Sequence, residues 1–220
     1  MEEIKLHVPD GFIPAWQCAI YYIILIIALY FSGKWVMKRL DYKRIPLMGV
    51  LAAGVFAIMT MNVPLPPFGA SGHMVGGALV AIIFCGPEAA VIIFTLVLLI
   101  QSLLFGDGGI TVLGMNVLNM GIIGGGVGFL TFKGLRKRIG EYPAAGVAAW
   151  LATVLAALAC ALEMVAAGIF PLVEGVKWML FFHIFIGIIE AVLTVIVIGA
   201  IEKFRPDLLP WNNKKTEGAS

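Results

Sequence analysis

The sequence predicts an all-α membrane protein, a polytopic bundle of seven transmembrane helices with the N-terminus outside and the C-terminus cytoplasmic. Three observations carry that expectation. Of the 220 residues, 61% are hydrophobic and 13% charged, where a soluble domain averages about 45–50% apolar and about 25% charged. Apolar runs close to the ~20 residues that cross a bilayer recur along the chain. Lys and Arg gather in alternate connections between those runs. The net charge of +2 gives no footing for a nucleic-acid partner. One transmembrane domain spans 1–220, with an N-terminal segment 1–15 and a cytoplasmic tail 203–220.

The first expected helix runs from Trp16 to Val36 and the second from Pro46 to Met61. The third, short and Gly-rich, runs from Gly72 to Cys85. Its length suits a helix that begins below the membrane surface after a buried loop, which is tolerated only inside protein or beside water. The fourth covers Pro87–Leu104, the fifth Thr111–Phe132, the Ala-rich sixth Pro143–Gly168 and the seventh Val176–Ile201. The acidic start, Met1-Glu-Glu-Ile-Lys5, and the long first run argue against a cleaved signal peptide.

Orientation follows from the basic residues. Lys34, Lys38, Arg39, Lys43 and Arg44 follow helix one; Lys133, Arg136, Lys137 and Arg138 follow helix five. Lys203, Arg205, Lys214 and Lys215 lie in the tail. The connections 62–72, 105–110 and 168–175 have none. His7, the loop before His73 and Gly106-Asp-Gly-Gly109 then share the outer face. Small residues recur every fourth position at Gly49, Ala53 and Ala57, and at Ala148, Ala152, Ala156 and Cys160. Each stripe serves internal packing or a partner membrane subunit. Cys18, Cys85 and Cys160 lie in apolar surroundings without ligand spacing and read as packing residues.

Ionisable groups inside spans are costly, so each needs a role. Glu163 lies on helix six; His183 and Glu190, seven apart, share a face of helix seven. That pair either ties two helices together or passes an ion or proton. Asn116, Asn119 and Gln101 read as interhelical hydrogen-bonders that also orient ligands or loops. Asp107 either caps helix five or supports a histidine from behind.

His73 stands where the proline-broken loop Asn62-Val-Pro-Leu-Pro-Pro-Phe-Gly69 runs into glycines 72, 76 and 77, which let other segments approach. His7 lies in a segment bent by Pro9 and Gly11. Imidazole suits Zn, Cu, Fe and Ni, thiolates are absent from these loops, and an all-nitrogen square-planar site would favour Ni(II) or Cu(II), with Co(II) also accepted. The chain carries no Gly-x4-Gly-Lys-[Ser/Thr] loop, so active uptake needs other chains. Gly124-Gly-Gly-Val-Gly128 lies within the fifth helix and reads as a packing notch.

Four stretches carry a resemblance: Leu6-His-Val-Pro-Asp-Gly-Phe12, Ser71-Gly-His-Met-Val-Gly-Gly-Ala-Leu79, Leu104-Phe-Gly-Asp-Gly-Gly-Ile110 and Leu113-Gly-Met-Asn-Val-Leu-Asn-Met120. Together they resemble the CbiM/NikM family, substrate-binding S components of energy-coupling factor transporters for cobalt and nickel. The likeness extends to about Thr194. It implies a seven-helix bundle in a prokaryotic cell membrane, with His7 and His73 as metal ligands. It implies a transmembrane T component, a cytoplasmic ATPase pair and a small auxiliary membrane subunit as partners, and a role in supplying metal for cobalamin biosynthesis. The ion is cargo, and no resident cofactor is implied. In the family's site the first histidine follows the initiator Met, so that free amine, deprotonated amide and imidazole chelate together. Here five residues precede Leu6. The native chain starts at Leu6, or the extension is trimmed, or another group is the fourth donor. The Pro-Asp-Gly turn leans toward the nickel members.

Two other functions fit parts of the sequence. Gly69-Ala-Ser-Gly72 matches the serine motif of rhomboid proteases, with Ser71 as nucleophile and His183 as base. No upstream His-and-Asn oxyanion pattern accompanies it. A stand-alone channel or secondary transporter is the other, against which stands the lack of an inverted repeat.

Overall fold

The computed structural model describes residues 7–65 and 70–212, without the side chains of 62–71. Among the described residues seven helical units make an all-α bundle: α1 Ala15–Arg39, α2 Ile45–Met59, α3 Gly77–Phe84, α4 Pro87–Phe105, α5 Leu113–Ile139, α6 Glu141–Ala166 and α7 Leu172–Phe204. All except α3 are long and apolar enough to cross a membrane, α2 together with the 3-10 turn Tyr42–Arg44 before it. Prolines mark several starts: Pro14 precedes α1, Pro46 and Pro87 open α2 and α4, and Pro171 precedes α7. A missing N–H costs nothing in a first turn. Basic residues close α1 (Lys38, Arg39) and α5 (Arg136, Lys137, Arg138), where the helix dipole favours them. α4 ends in a π-helical turn, Gln101–Phe105, and α5 contains another, Leu118–Gly124.

The third helix is shorter than the Gly72–Cys85 run expected from sequence. Residues 62–65 and 70–73 instead pair as an antiparallel hairpin, β1 Asn62–Leu65 and β2 Ala70–His73, with Asn62 opposite His73. Gly76, at φ +79°, then turns the chain into α3. The hairpin pairs backbone groups that a coil packed against the helices would leave open.

Every residue of α3 is buried, so both helix ends need internal partners. At its C-terminal end Arg44 donates to the Ile83 carbonyl at 2.9 Å and to the Leu208 carbonyl at 3.0 Å. Its N-terminal end is met by α7, as described below. The Gly124–Gly128 stretch acts as a notch: a Cβ at Gly125 would lie 2.6 Å from the Ala90 Cβ, and one at Gly128 2.4 Å from that of Ala78. The two small-residue stripes part company. Ala148, Ala152 and Ala156 are buried, whereas Gly49, Ala53 and Ala57 face outward. At the opposite end of α1 from His7, Lys34, Lys38, Arg39 and Lys133 line a cleft between α1 and α5.

Candidate metal centre

His7 enters the bundle on a segment pinned by the loop between α4 and α5. Asp10 accepts from the Ile110 and Thr111 N–H groups at 3.2 and 2.8 Å and from the Thr111 hydroxyl at 2.5 Å. Gly109 N–H donates to the Val8 carbonyl at 3.0 Å. This contact needs a glycine, because a Cβ at 109 would fall 2.1 Å from the Asp10 carboxylate. The Thr111 hydroxyl, above all, holds the Asp10 pKa below the usual carboxylate range. Asn116 Nδ2 reaches the Val8 carbonyl at 3.4 Å.

The segment delivers His7 into a buried position, 4% exposed. Its backbone N–H donates to Asp107 Oδ1 at 3.2 Å, and its Nδ1 lies 3.2 Å from Asp107 Oδ2. Its Nε2 has no hydrogen-bond partner among the described residues. The amide that the family resemblance casts as a deprotonated donor is here a hydrogen-bond donor to Asp107.

His73 closes β2 against it, 9% exposed, with the two ring centroids 4.6 Å apart and the planes at 65°. His73 Nδ1 lies 2.9 Å from the Met74 carbonyl. A carbonyl only accepts, so Nδ1 carries the proton and Nε2 keeps its lone pair free. Burial first, and the His7 ring second, push the His73 pKa down to about 3. The ring is therefore neutral near pH 7, the form that binds metal.

Both rings open on one cavity of ≈ 80 Å³, also lined by Asn116, Asn119, Cys160 and His183. Organic ligands occupy pockets of about 300–1,000 Å³, so this space fits an ion with a few waters. Among the described residues no three His, Cys, Asp or Glu side chains form a ready-made metal cage. The donors beyond two imidazoles must come from other groups; Met1–Leu6, directly ahead of His7, lie outside the described residues.

The remaining sequence candidates fall into two groups. Glu163 accepts from Asn119 Nδ2 at 2.6 Å, and its carbonyl accepts from Gln17 at 2.9 Å, tying α5, α6 and α1 together. His183 and Glu190 share a face of α7 as their spacing predicts, but that face meets the hairpin and α3, and the two residues bond elsewhere. His183 Nδ1 donates to the Met179 carbonyl at 2.8 Å, and its ring edge lies against Gly72, where a Cβ would sit 3.2 Å from Nε2. Glu190 accepts from Val75 N–H and from Gly76 N–H, each at 2.7 Å. Ser71 lies in β2 beside Gly72, and its side chain is outside the description, as are Pro66–Gly69 and the tail lysines Lys214 and Lys215. The sequence reading missed Asp10 and the hairpin. The Pro-Asp-Gly turn signalled the first, since Asp in such turns bonds backbone N–H groups; alternation was too short to signal the second.

Known proteins place this geometry in context. A family model described as the cobalt uptake substrate-specific transmembrane region, CbiM, matches residues 7–208. A Methanocaldococcus jannaschii protein named for metal transport is 38% identical over 98% of this chain and 100% of its own length. The fused nickel transport protein NikMN of Rhodobacter capsulatus is 31% identical over 93% of this chain, which spans 64% of that relative. The crystal structure of a transition metal transporter superposes with a TM-score of 0.82 at 34% identity, covering 90% of this chain and 92% of that one.

Proposed function

The chain belongs to the CbiM/NikM family of cobalt and nickel transport membrane proteins, and from that premise we propose that it is the substrate-binding S component of an energy-coupling factor transporter. It captures Ni(II) or Co(II) at the outer face of a prokaryotic cell membrane and catalyses no reaction itself. The N-terminus lies outside, the C-terminus in the cytoplasm, and residues 1–220 act as one membrane domain. A transmembrane T component, an ATPase pair and a small auxiliary subunit complete the machine. The length that the fused nickel relative carries beyond the part matched here supports a further component working beside it.

One observation carries the metal reading: two buried imidazoles, ring centroids 4.6 Å apart, line one ion-sized cavity, and His7 Nε2 has no hydrogen-bond partner among the described residues. His7 and His73 are the ligands in this reading. Asp107 holds His7 from behind, and the Met74 carbonyl fixes the tautomer of His73, the arrangement by which outer groups orient metal-bound histidines. Asn116 and Asn119 brace the segments around the ion. X-ray absorption on the purified, nickel-loaded chain tests it. Nitrogen scatterers with the multiple-scattering pattern of two imidazoles are expected; a shell without imidazole overturns the assignment.

A further inference from the structure

Glu190 is a carboxylate in the middle of a membrane helix, and both its oxygens are occupied. Oε2 accepts from Val75 N–H and Oε1 from Gly76 N–H, each at 2.7 Å. The two bonds tie the middle of α7 to the backbone at the start of α3. The residues it grips follow directly on Met74, whose carbonyl receives the His73 Nδ1 proton at 2.9 Å. Beneath the strand, Gly72 brings the backbone against His183 and Ile186 of the same helix; a Cβ there would lie 2.7 Å from Ile186 Cδ1. α7 therefore fixes the chain on both sides of His73.

We propose that Glu190 is the positioning residue of the metal site: by clamping the Val75 and Gly76 amides it sets the Met74 carbonyl, and through it the tautomer and aim of His73. The proposal rests on the reading of His73 as a ligand. A carboxyl group suits the place, because two N–H groups at the start of α3 need acceptors out of water. Glutamine keeps the shape but presents one acceptor oxygen and a competing NH2, so one amide loses its partner and the turn loosens.

The test compares nickel affinity of the purified full-length chain in detergent for Glu190→Gln, His73→Ala and Trp150→Phe. The last removes a hydrogen bond from Trp150 to the Ile184 carbonyl, 3.1 Å, between α6 and α7, and leaves both bonds of Glu190 in place. It reports what a loss of bundle stability alone does. Glu190→Gln is expected to weaken binding about 10- to 100-fold, the usual cost of removing a group that orients a ligand, while Trp150→Phe lowers the thermal midpoint and leaves affinity unchanged. Wild-type affinity in Glu190→Gln, or an equal loss in Trp150→Phe, overturns the proposal. Retained binding in His73→Ala instead overturns the ligand assignment on which it stands. If Glu190→Gln does not fold, Glu190→Asp is judged by the same criteria. Nitrogen-15 NMR of the histidines in the wild-type chain decides independently: His73 should carry its proton on Nδ1, and a population on Nε2 shows that the clamp does not set the ring.

Discussion

The two histidines of the candidate site are held in opposite ways. His7 hangs from a surface latch: Asp10 and Asp107 exchange hydrogen bonds with the α4–α5 loop and with the segment's own backbone, and Asp10 is exposed. His73 is held from within the bundle by a strand, a backbone carbonyl and a buried carboxylate of α7. Exposed hydrogen bonds compete with water and contribute little each, whereas a buried charge-assisted bond has no substitute. The contrast makes His7 the adjustable half of the site and His73 the fixed half.

The largest expected effect lies on the fixed half. His73→Ala should remove most nickel and cobalt binding, more than about 100-fold, with the bundle still folded by circular dichroism; losing one of few metal–nitrogen bonds outweighs the loss of an orienting group, which alone costs about 10- to 100-fold. Near-wild-type affinity would reverse the assignment. The next test is on the adjustable half. A chain without residues 1–5 and with Leu6→Met presents an amine one residue from His7, so that amine, amide and imidazole close fused rings on the metal. It should bind Ni(II) far more tightly than the 220-residue form and show the yellow absorption of square-planar nickel. Because the amide otherwise donates to Asp107, equal affinity of the two forms would mean that the His7 amide keeps its proton and its bond to Asp107.

Asp107→Asn should weaken binding about tenfold, as for other groups behind metal-bound histidines, read by chelator competition. Asp10→Asn should cost about threefold, the worth of one exposed hydrogen bond. The Asp10 pKa is depressed, so its latch is complete above the unfolded value near 3.8 and is lost only as the pH falls below it; acidification to pH 5 should leave it closed. His73 behaves differently. Its folded pKa of about 3 lies below the ordinary histidine value of 6.5, so stability is full above 6.5 and declines as the pH falls toward 3. In excess chelator the wild type should lose about 2 kcal/mol relative to His73→Ala between pH 7 and 5. Parallel melting curves of the two chains across that range would show that His73 is not buried as described.

The same division governs how much the sequence disclosed. The seven helical units and the small-residue notch at Gly125 and Gly128 were legible because length, apolarity and glycine spacing act locally. The convergence of His7, His73 and Asp107 followed from counting spans and basic residues. What stayed hidden depends on contacts between distant segments. Glu190 and His183 share a helical face, which the spacing of seven predicts; that the face meets the backbone at 72–76 is a matter of packing. The β-hairpin escaped because its prolines read as a broken loop and each strand is only four residues long. The stripes at Gly49 and Ala148 look alike in sequence, and only the positions of neighbouring helices separate the exposed one from the buried one.

The clamp on His73 comes from the last helix of the chain. Synthesis runs from the N-terminus, so His7 and the hairpin are both made more than a hundred residues before Glu190. Until α7 arrives, the amides of Val75 and Gly76 have no acceptor and His73 has no fixed direction. On the proposed role of Glu190, a nascent or truncated chain that stops short of α7 carries both imidazoles without the clamp, and tight metal binding would mark a chain whose last helix is in place.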